Sequence, residues 1–336
     1  MKCTALFCGL VLGVAFSGLA FAASGPTSIL NASYDVSREV FAELNPIFAK
    51  QWKAQTGQVV TINQSHAGSS SQARSVLEGL KADVVTFNQV PDVQTLYDKG
   101  GLIAGDWQNK FAYKSSPFYS LPVFLVRKGN PKNIRNWNDL VKPGVAVIFP
   151  NPKTSGNGRY TYLAAVAYGL DAYKGDRAKA QSFAKALFAH VPVFDTGGRG
   201  ATTTFADRGI GDVLITFEAE AYGIAKEKGA DKFEVVTPPI SLLAEFPVAV
   251  VNRVVDRRGS RNLATAYLKF LYTPDAQDVI ARHFYRVRDK KIEAKYAKQF
   301  APVKLMTAQG AFGGWAKIAK DHFGADGLLD QAFLKE

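Results

Sequence analysis

Cysteine is almost absent from this 336-residue chain, and its two copies, Cys3 and Cys8, lie close to the N-terminus. The apolar segment around them follows Lys2 and ends at Ala20-Phe21-Ala22, which has the small-x-small form that a signal peptidase accepts. We therefore predict cleavage after Ala22 and a mature chain without any cysteine. Such a chain excludes disulfides, thiolate metal sites and a cysteine nucleophile.

Histidine and long apolar runs are scarce as well. The chain has four histidines, far apart in sequence and without the spacing of metal ligands: His66, His190, His283 and His322. No second long apolar segment follows the N-terminal one, so we expect no retained membrane anchor. Neither cysteine follows a lipoprotein-like cleavage site, which argues against a lipid anchor. An exported soluble chain of this kind is typical of the bacterial periplasm, and we predict that location.

Acidic residues are fewer than basic ones. The chain carries 41 Lys and Arg against 29 Asp and Glu, a formal net charge of +12 at pH 7. The basic residues are scattered rather than clustered, and no zinc-finger spacing or aromatic RNA-binding motif is present, so we do not expect a nucleic-acid partner. An excess of positive charge steers small anions toward a protein equally well.

Along the chain, a short β-rich run is followed several times by a small polar corner and then by a helical pattern. "VAVIFP" leads into "NPKTSGNG" and the helix "RYTYLAAVAYGL", and "VPVFDTGGRGAT" leads into the helix "TTFADRGI". Two more runs, "ADVVTF" and "GDVLITFE", read as strands that follow helices. This alternation of strand and helix favours an α/β fold built on mainly parallel sheets.

Two extended apolar stretches that carry proline, Ser115–Pro131 and Leu242–Asp256, are the expected crossings between two lobes. The ends of parallel strands face the cleft between such lobes, which is a natural ligand site. The predicted division is a signal peptide (1–22), a first lobe (23–118 and about 246–285), a second lobe (119–245) and C-terminal helices on the outside (about 286–336).

Four corners end a predicted strand and open a predicted helix with small hydroxyl or glycine residues. They are Ser33–Ser37, Ser65–Ser71, Thr154–Gly158 and Thr196–Gly200. A helix leaves its first amide N–H groups without internal partners, and these donors, with the positive end of the helix dipole, form an anion site. One such corner is typical of an ordinary helix cap. Four of them, two in each predicted lobe, favour an anion site.

The amino-acid sequences of these corners are similar to those of a known family. "SYDVSRE", "QSHAGSS", "LKADVVTFNQV", "FPNPKTSGNGRYTYLAA", "DTGGRGATTTFADRGIGDVLITFE" and "LAEFPVAVV" resemble the periplasmic sulfate- and thiosulfate-binding proteins that serve ABC importers. The likeness runs in order from about Leu30 to the C-terminal "FGGWAK", and "TSGN", "TGGRGATTTF" and "FNQV" are closer to the thiosulfate-binding branch. It implies a two-lobe periplasmic binding fold of type II and a monomer without cofactor or metal. The implied partner is an ABC permease in the inner membrane.

The resemblance also implies how the ligand is held: a dehydrated, fully ionised oxyanion lies between the lobes and accepts hydrogen bonds mainly from backbone amides. By matching motifs, the donors are the hydroxyl of Ser69 and the amides of Asp35, Ser155, Gly156, Asn157 and Gly198. Asp35 itself is expected to be an N-cap whose carboxylate turns toward its own helix. Asn88, which follows the strand "ADVVTF", either donates a side-chain amide to the anion or simply caps the strand end.

Phe217 stands where the sulfate-binding branch places an indole N–H donor. Phenylalanine has no donor, so the resemblance puts tight sulfate binding in doubt, and the larger, softer sulfur of thiosulfate is expected to lie against this ring. Molybdate remains an alternative ligand, whereas an organic anion or hydrogen phosphate fits a small, donor-only site poorly. A sulfur-oxyanion enzyme is disfavoured, because such chemistry normally uses a cysteine nucleophile or a metal.

Two further pairs of residues have simpler interpretations. Arg159 and Arg199 flank the proposed site; of two roles, adding positive potential or pairing with carboxylates such as Asp195, we expect the second. Tyr160 and Tyr162 lack a clustered set of carboxylates, so we interpret them as helix packing and not as iron ligands.

Overall fold

Two four-stranded sheets, each accompanied by helices, organise residues 25–334, the part of the chain that a computed structural model describes. The predicted signal peptide, residues 1–22, lies outside the described residues. The strands are β1 (Ser28–Tyr34), β2 (Thr61–Ala67), β3 (Val84–Thr86), β4 (Phe118–Ser120), β5 (Pro122–Arg127), β6 (Val147–Ile148), β7 (Val213–Phe217), β8 (Phe233–Val236), β9 (Ile240–Leu242), β10 (Ala244–Phe246), β11 (Val248–Val250), β12 (Arg286–Val287) and β13 (Lys304–Met306).

The α-helices follow the strands closely along the chain, as the sequence pattern predicts. They are α1 (Arg38–Thr56), α2 (Ser69–Leu77), α3 (Val90–Asp98), α4 (Ala112–Ser115), α5 (Gly156–Ala172), α6 (Arg177–Ala189), α7 (Gly198–Thr202), α8 (Glu218–Lys228), α9 (Asn252–Arg258), α10 (Arg261–Phe270), α11 (Pro274–Arg282), α12 (Lys290–Lys295), α13 (Ala308–Phe312), α14 (Trp315–Asp321) and α15 (Leu328–Phe333). Within residues 25–334, no helix is both long and apolar enough to span a bilayer.

The first sheet has the order β11-β3-β1-β2, and β1 pairs in parallel with both of its neighbours. The second has the order β6-β7-β5-β8, in which β6 and β7 are parallel but β5 runs antiparallel to both β7 and β8. The predicted α/β class is therefore confirmed, and the second sheet is more mixed than the mainly parallel pairing that the sequence pattern predicts.

The two stretches expected to cross between lobes pair with each other. Phe118–Ser120 of β4 lies antiparallel to Ala244–Phe246 of β10, and β12 completes this small sheet on the other side of β4. The lobe boundaries derived from the sequence stay predictions. The tail after residue 285 contains two strands beside its helices, and β13 pairs in parallel with β9.

One predicted strand is wrong. The run "VPVF" at 191–194 has no strand assignment. Its neighbourhood makes only isolated bonds beside β6, in which Val147 N–H donates to the His190 carbonyl at 2.9 Å and Asn151 N–H donates to the Asp195 carbonyl at 2.7 Å. Apolar, β-branched residues are therefore not sufficient for a strand here, since β6 beside them is only two residues long.

Candidate anion-binding site

A small cavity lies where several strand-to-helix corners meet. Its walls are Asp35, Val36, Gly68, Ser69, Asn88, Ser155, Gly156, Asn157, Gly197, Gly198, Phe217 and Glu220. All eight site residues predicted from the sequence are among them, although they are spread over more than half of the chain.

Each of the four predicted corners opens a helix at this cavity. A 3-10 turn begins at Asp35 directly after β1, α2 begins at Ser69 after β2, α5 begins at Gly156 after β6, and α7 begins at Gly198. First-turn amides such as those of Gly156 and Asn157 have no acceptor inside their own helix. The corners therefore bring N–H donors and the positive ends of helices to one point.

Two polar side chains from the first sheet's corners complete this wall. The Ser69 hydroxyl is 1 % exposed and has no hydrogen-bond partner among the described residues. The hydroxyl lies near Asp92. Burial raises the pKa of Asp92 and Ser69 lowers it in part, although the two groups do not form a hydrogen bond of ordinary geometry. Asn88 is buried as well, with 4 % exposed, and its Oδ1 atom also has no partner within residues 25–334. Asn88 Oδ1 therefore caps no strand or helix end.

The structure corrects the role expected of the Ser155 amide. That N–H donates to the Asn151 carbonyl at 2.9 Å, inside the turn, so it is already occupied. The Ser155 hydroxyl is the N-cap of α5 and accepts from the Gly158 amide at 3.4 Å. Because the hydroxyl accepts there, its own hydrogen stays available to a ligand.

Asp35 is also not the N-cap that the sequence analysis expects. The N-cap of the 3-10 turn is Tyr34, without a side-chain cap, and the α1 N-cap is Ser37. The Asp35 carboxyl instead reaches toward α7, where its Oδ2 atom lies 3.6 Å from the position a Cβ would take on Gly197. Asp35 therefore contributes its carboxylate to the neighbourhood of the cavity as well as its backbone.

Glu220 is the wall residue that sequence reasoning missed. Its carboxylate accepts from Asn157 Nδ2 at 3.0 Å, from the Thr202 hydroxyl at 3.2 Å and from the Thr216 hydroxyl. Burial raises its pKa to about 7, and the negative charge of Asp35 adds to that effect. The residues that meet here come from β7 and three helices, and no local pattern in the sequence marks such a meeting.

Phe217 lies at the end of β7 with 2 % of its surface exposed. Its ring meets those of Tyr160 and Phe246 edge to face, with centroid distances of 5.7 and 5.2 Å. Tyr160 is fully buried, which confirms its interpretation as a packing residue. The Phe217 ring is thus held in place by an aromatic cluster, and it offers the cavity no hydrogen-bond donor.

The cavity is bridged on two sides by charged and amide side chains. Arg159 of α5 donates to Gln89 Oε1 at 2.9 Å and lies 3.5 Å from Asp92, and Arg199 of α7 pairs with Glu39 of α1 at 2.9 Å. Both arginines therefore pair with carboxylates, as predicted, although neither partner is Asp195. Together these bonds hold helix starts from the two large sheets against each other.

Among residues 25–334, no group of three or more His, Cys, Asp or Glu side chains is placed to hold a metal ion. The cavity is instead built from amide and hydroxyl donors, glycines that allow close approach to the backbone, one aromatic ring, and two carboxyl groups. The amide and hydroxyl donors of this set suit a small anion that carries no proton.

Comparison with known proteins gives a consistent result. A family model described as bacterial extracellular solute-binding protein matches residues 32–286. The chain is 55 % identical over 306 residues to the thiosulfate-binding protein of Escherichia coli (strain K12), covering 91 % of this chain and 90 % of that protein. It is 50 % identical over 303 residues to the sulfate-binding protein of the same strain, covering 90 % and 92 %.

A solved structure extends the comparison to three dimensions. The sulfate-binding protein SubI from Mycobacterium tuberculosis H37Rv superposes with a TM-score of 0.78 at 36 % sequence identity. The match covers 87 % of this chain and 98 % of SubI. The likeness therefore extends over nearly the whole of both folds.

Proposed function

The chain belongs to the bacterial extracellular solute-binding proteins, in the group of sulfate- and thiosulfate-binding proteins, and on that premise we propose that it captures thiosulfate or sulfate in the cavity described above. The observation that carries the proposal is the meeting of four helix starts and the unpaired Ser69 hydroxyl at one small cavity. The protein then delivers the anion to an ABC importer in the inner membrane and carries out no chemistry on it.

The proposed ligand suits the hydrogen-bond donors of the cavity. Sulfate and thiosulfate carry no proton near neutral pH, so their outer atoms need donors only. The donors that we assign are the hydroxyls of Ser69 and Ser155, the amides of Asp35, Gly156, Asn157 and Gly198, and the side-chain amide of Asn88. A charge-assisted hydrogen bond contributes about 1.5–3 kcal/mol, so several together offset the loss of the anion's hydration.

The setting of the proposed activity follows from the same family. We propose that residues 1–22 direct export to the periplasm and are removed, that the mature protein is a monomer, and that two lobes close on the anion. The first lobe is assigned to 23–118 and about 246–285, and the second to 119–245. The bonds of Arg159 and Arg199 across the cavity then belong to the closed, ligand-binding form.

The direct test is calorimetric titration of the purified protein with thiosulfate, sulfate, molybdate and phosphate. We expect saturable 1:1 binding of thiosulfate or sulfate at micromolar concentration or tighter, and much weaker binding of phosphate. Absence of any heat with all four anions, or measurable turnover of thiosulfate, would contradict the proposal.

Replacing Ser69 by alanine tests one donor. We expect Ser69→Ala to weaken anion binding about 10- to 100-fold, because a hydrogen bond from a buried hydroxyl to a charged group is lost. Ser116→Ala is the matched control, since the Ser116 hydroxyl is also buried and unpaired but lies outside the cavity. Equal affinities of the two variants would remove Ser69 from the site.

Replacing Phe217 by tryptophan tests the choice between the two anions. The indole N–H adds a donor where the present ring has none, so sulfate should gain about tenfold in affinity relative to thiosulfate. Phe217→Leu is the control that alters packing against Tyr160 and Phe246 without adding a donor. A folded Phe217→Trp protein with unchanged affinity for both anions would show that the ring does not set the preference.

A further inference from the structure

The carboxyl group of Glu220 is unexpected in a cavity for a dianion. The Cβ position of Gly198, at the start of α7, lies 3.3 Å from Glu220 Oε1 and 3.5 Å from Oε2. The backbone of a proposed anion-binding glycine thus lies directly beside this carboxyl. An ionised Glu220 would repel the anion across a short, largely dry distance, where charges are poorly screened.

The Asn157 side chain presents a second problem at the same place. It is 4 % exposed, and its Nδ2 donates to the Thr216 hydroxyl at 2.7 Å and to Glu220 at 3.0 Å. Its Oδ1 has no partner among the described residues, although Asn157 lines the cavity. A buried acceptor without a hydrogen bond lowers the stability of the fold, and at the wall of an anion site it also repels the anion.

One change resolves both problems. The oxygen and nitrogen of an asparagine amide have nearly the same shape, so a half-turn of the amide exchanges them without moving any neighbour. A protonated Glu220 and the Thr216 hydroxyl then both donate to Asn157 Oδ1, and Asn157 Nδ2 takes the unpaired position at the cavity wall. The site gains a donor and loses a negative charge in the same step.

Resting on the proposed function, we propose that Glu220 is a further binding-site residue: it takes up a proton from water as the anion binds, and it holds the Asn157 side-chain amide nitrogen toward the anion. No covalent bond of the ligand changes. The consequence for specificity is that Glu220 and Asn157 offer the anion a donor in place of a negative charge and an unpaired acceptor, which disfavours hydrogen phosphate.

In the described arrangement of the chain, Glu220 has the titration that this coupling requires. Burial first, and then the charge of Asp35, raise the pKa of Glu220 to about 7, while hydrogen bonds from Thr216 and Thr202 and the charge of Arg199 oppose the rise. Tyr34 and Tyr285 also face Glu220, and burial raises the pKa of each, so both stay neutral and add no charge near pH 7. A bound dianion raises the Glu220 pKa further.

The sign of the pH dependence follows from linkage. Below pH 7 Glu220 is already protonated, so binding takes up no proton and the affinity does not depend on pH through this group. Above pH 7 the free carboxyl is ionised and binding takes up a proton, so Kd rises by about tenfold per pH unit. His66 does not interfere there, because burial lowers its pKa and it is neutral over this range.

The experiment is calorimetric titration of the purified protein with thiosulfate at pH 6 and pH 8.5, each in two buffers of different protonation enthalpy. We expect more than half a proton taken up per anion at pH 8.5 and close to none at pH 6. Difference infrared spectra at pH 8.5 should show a protonated carboxyl band appearing as thiosulfate binds. Both measurements use the unaltered protein and do not depend on a variant folding.

Glu220→Gln is the decisive variant, because glutamine donates to Asn157 Oδ1 as a protonated carboxyl does but does not titrate. We expect it to bind thiosulfate with a Kd that is independent of pH, and about tenfold or more tighter than the unaltered protein at pH 8.5. Glu227→Gln on the exposed side of α8 is the matched control and should keep the pH dependence of the unaltered protein.

The outcomes separate the two proposals. Tight binding of thiosulfate without proton uptake at pH 8.5, or a Glu220→Gln protein that keeps the pH dependence, overturns the role of Glu220 and leaves the proposed function intact. Absence of anion binding at both pH values overturns both.

Discussion

Replacing Gly158 by alanine is expected to lower the free energy of unfolding by about 2–3 kcal/mol and to weaken anion binding at the same time. Gly158 lies in the first turn of α5, and a Cβ there would collide with the Pro150 carbonyl oxygen and lie 2.8 Å from Pro152 N and 2.9 Å from the Asn151 carbonyl carbon. All three are backbone atoms, which cannot rotate away as a side chain does. The corner that carries Gly156 and Asn157 must therefore shift.

Denaturant unfolding and thiosulfate calorimetry on the same preparation measure the two effects. Gly223→Ala is the matched control, because Gly223 lies inside α8 and has no atom within 4 Å of its Cβ position. Alanine is the better helix former by roughly 0.5–1 kcal/mol, so this control should be slightly stabilised. A Gly158→Ala protein as stable as the control would show that the tight turn between β6 and α5 is absent in solution.

The helix starts were the most predictable part of this site. Gly, Ser and Thr between an apolar run and a helical pattern predict a strand-to-helix corner, because their effect on the backbone is local. All four corners predicted in this way open a helix at the cavity. No single corner indicates that the four corners face the same ligand. That expectation came from the order of the motifs along the chain, which is similar to the order in a known family.

What could not be predicted depends on contacts between distant residues. Glu220 meets Asn157 across 63 positions of sequence, and the contact exists only because β6 and β7 are neighbours in the second sheet. The partner of the Ser155 amide was missed for the opposite reason. Asn151 is only four residues away, and its carbonyl turns back toward Ser155 within the corner. No particular residue type in the corner predicts this backbone conformation.

The Asp35 error has a physical cause of the same local kind. An aspartate before a helical pattern is a favoured N-cap, but here a 3-10 turn precedes α1. The Ser37 hydroxyl donates to the Tyr34 carbonyl at 2.6 Å and lies 2.5 Å from the Ser33 hydroxyl, which stabilises this turn. Asp35 therefore lies inside the turn, and its carboxylate points away from the α1 amides toward the second sheet's corner.

The second large effect is expected at an ion pair close to Phe217. Glu218 has a fully buried side chain and accepts two hydrogen bonds from Arg286, from Nε at 2.7 Å and from Nη2 at 2.9 Å. Arg286 itself is 14 % exposed and lies in β12, so the pair ties the start of α8 to the small sheet between the large ones. Arg286→Met should cost about 3–5 kcal/mol of unfolding free energy, because it leaves a buried carboxylate unpaired.

The cost should grow with pH. Burial raises the pKa of Glu218, and Arg286 opposes that rise, so removing the arginine raises the folded-state pKa further above the unfolded one. The folded variant then holds a proton that the unfolded chain releases, and its stability falls as pH increases. Denaturant unfolding at pH 5 and pH 8 should therefore show a smaller loss at pH 5.

Two control proteins distinguish a buried ion pair from simple loss of an arginine. Arg261→Met breaks an exposed pair with Asp256, where the side chains are 47 % and 60 % exposed, and should change stability by at most about 1 kcal/mol. The double variant Arg286→Met with Glu218→Leu removes both charges and should recover most of the loss at pH 8. If the double variant were no more stable than Arg286→Met alone, the loss would come from altered packing around β12, because no buried charge would remain to explain it.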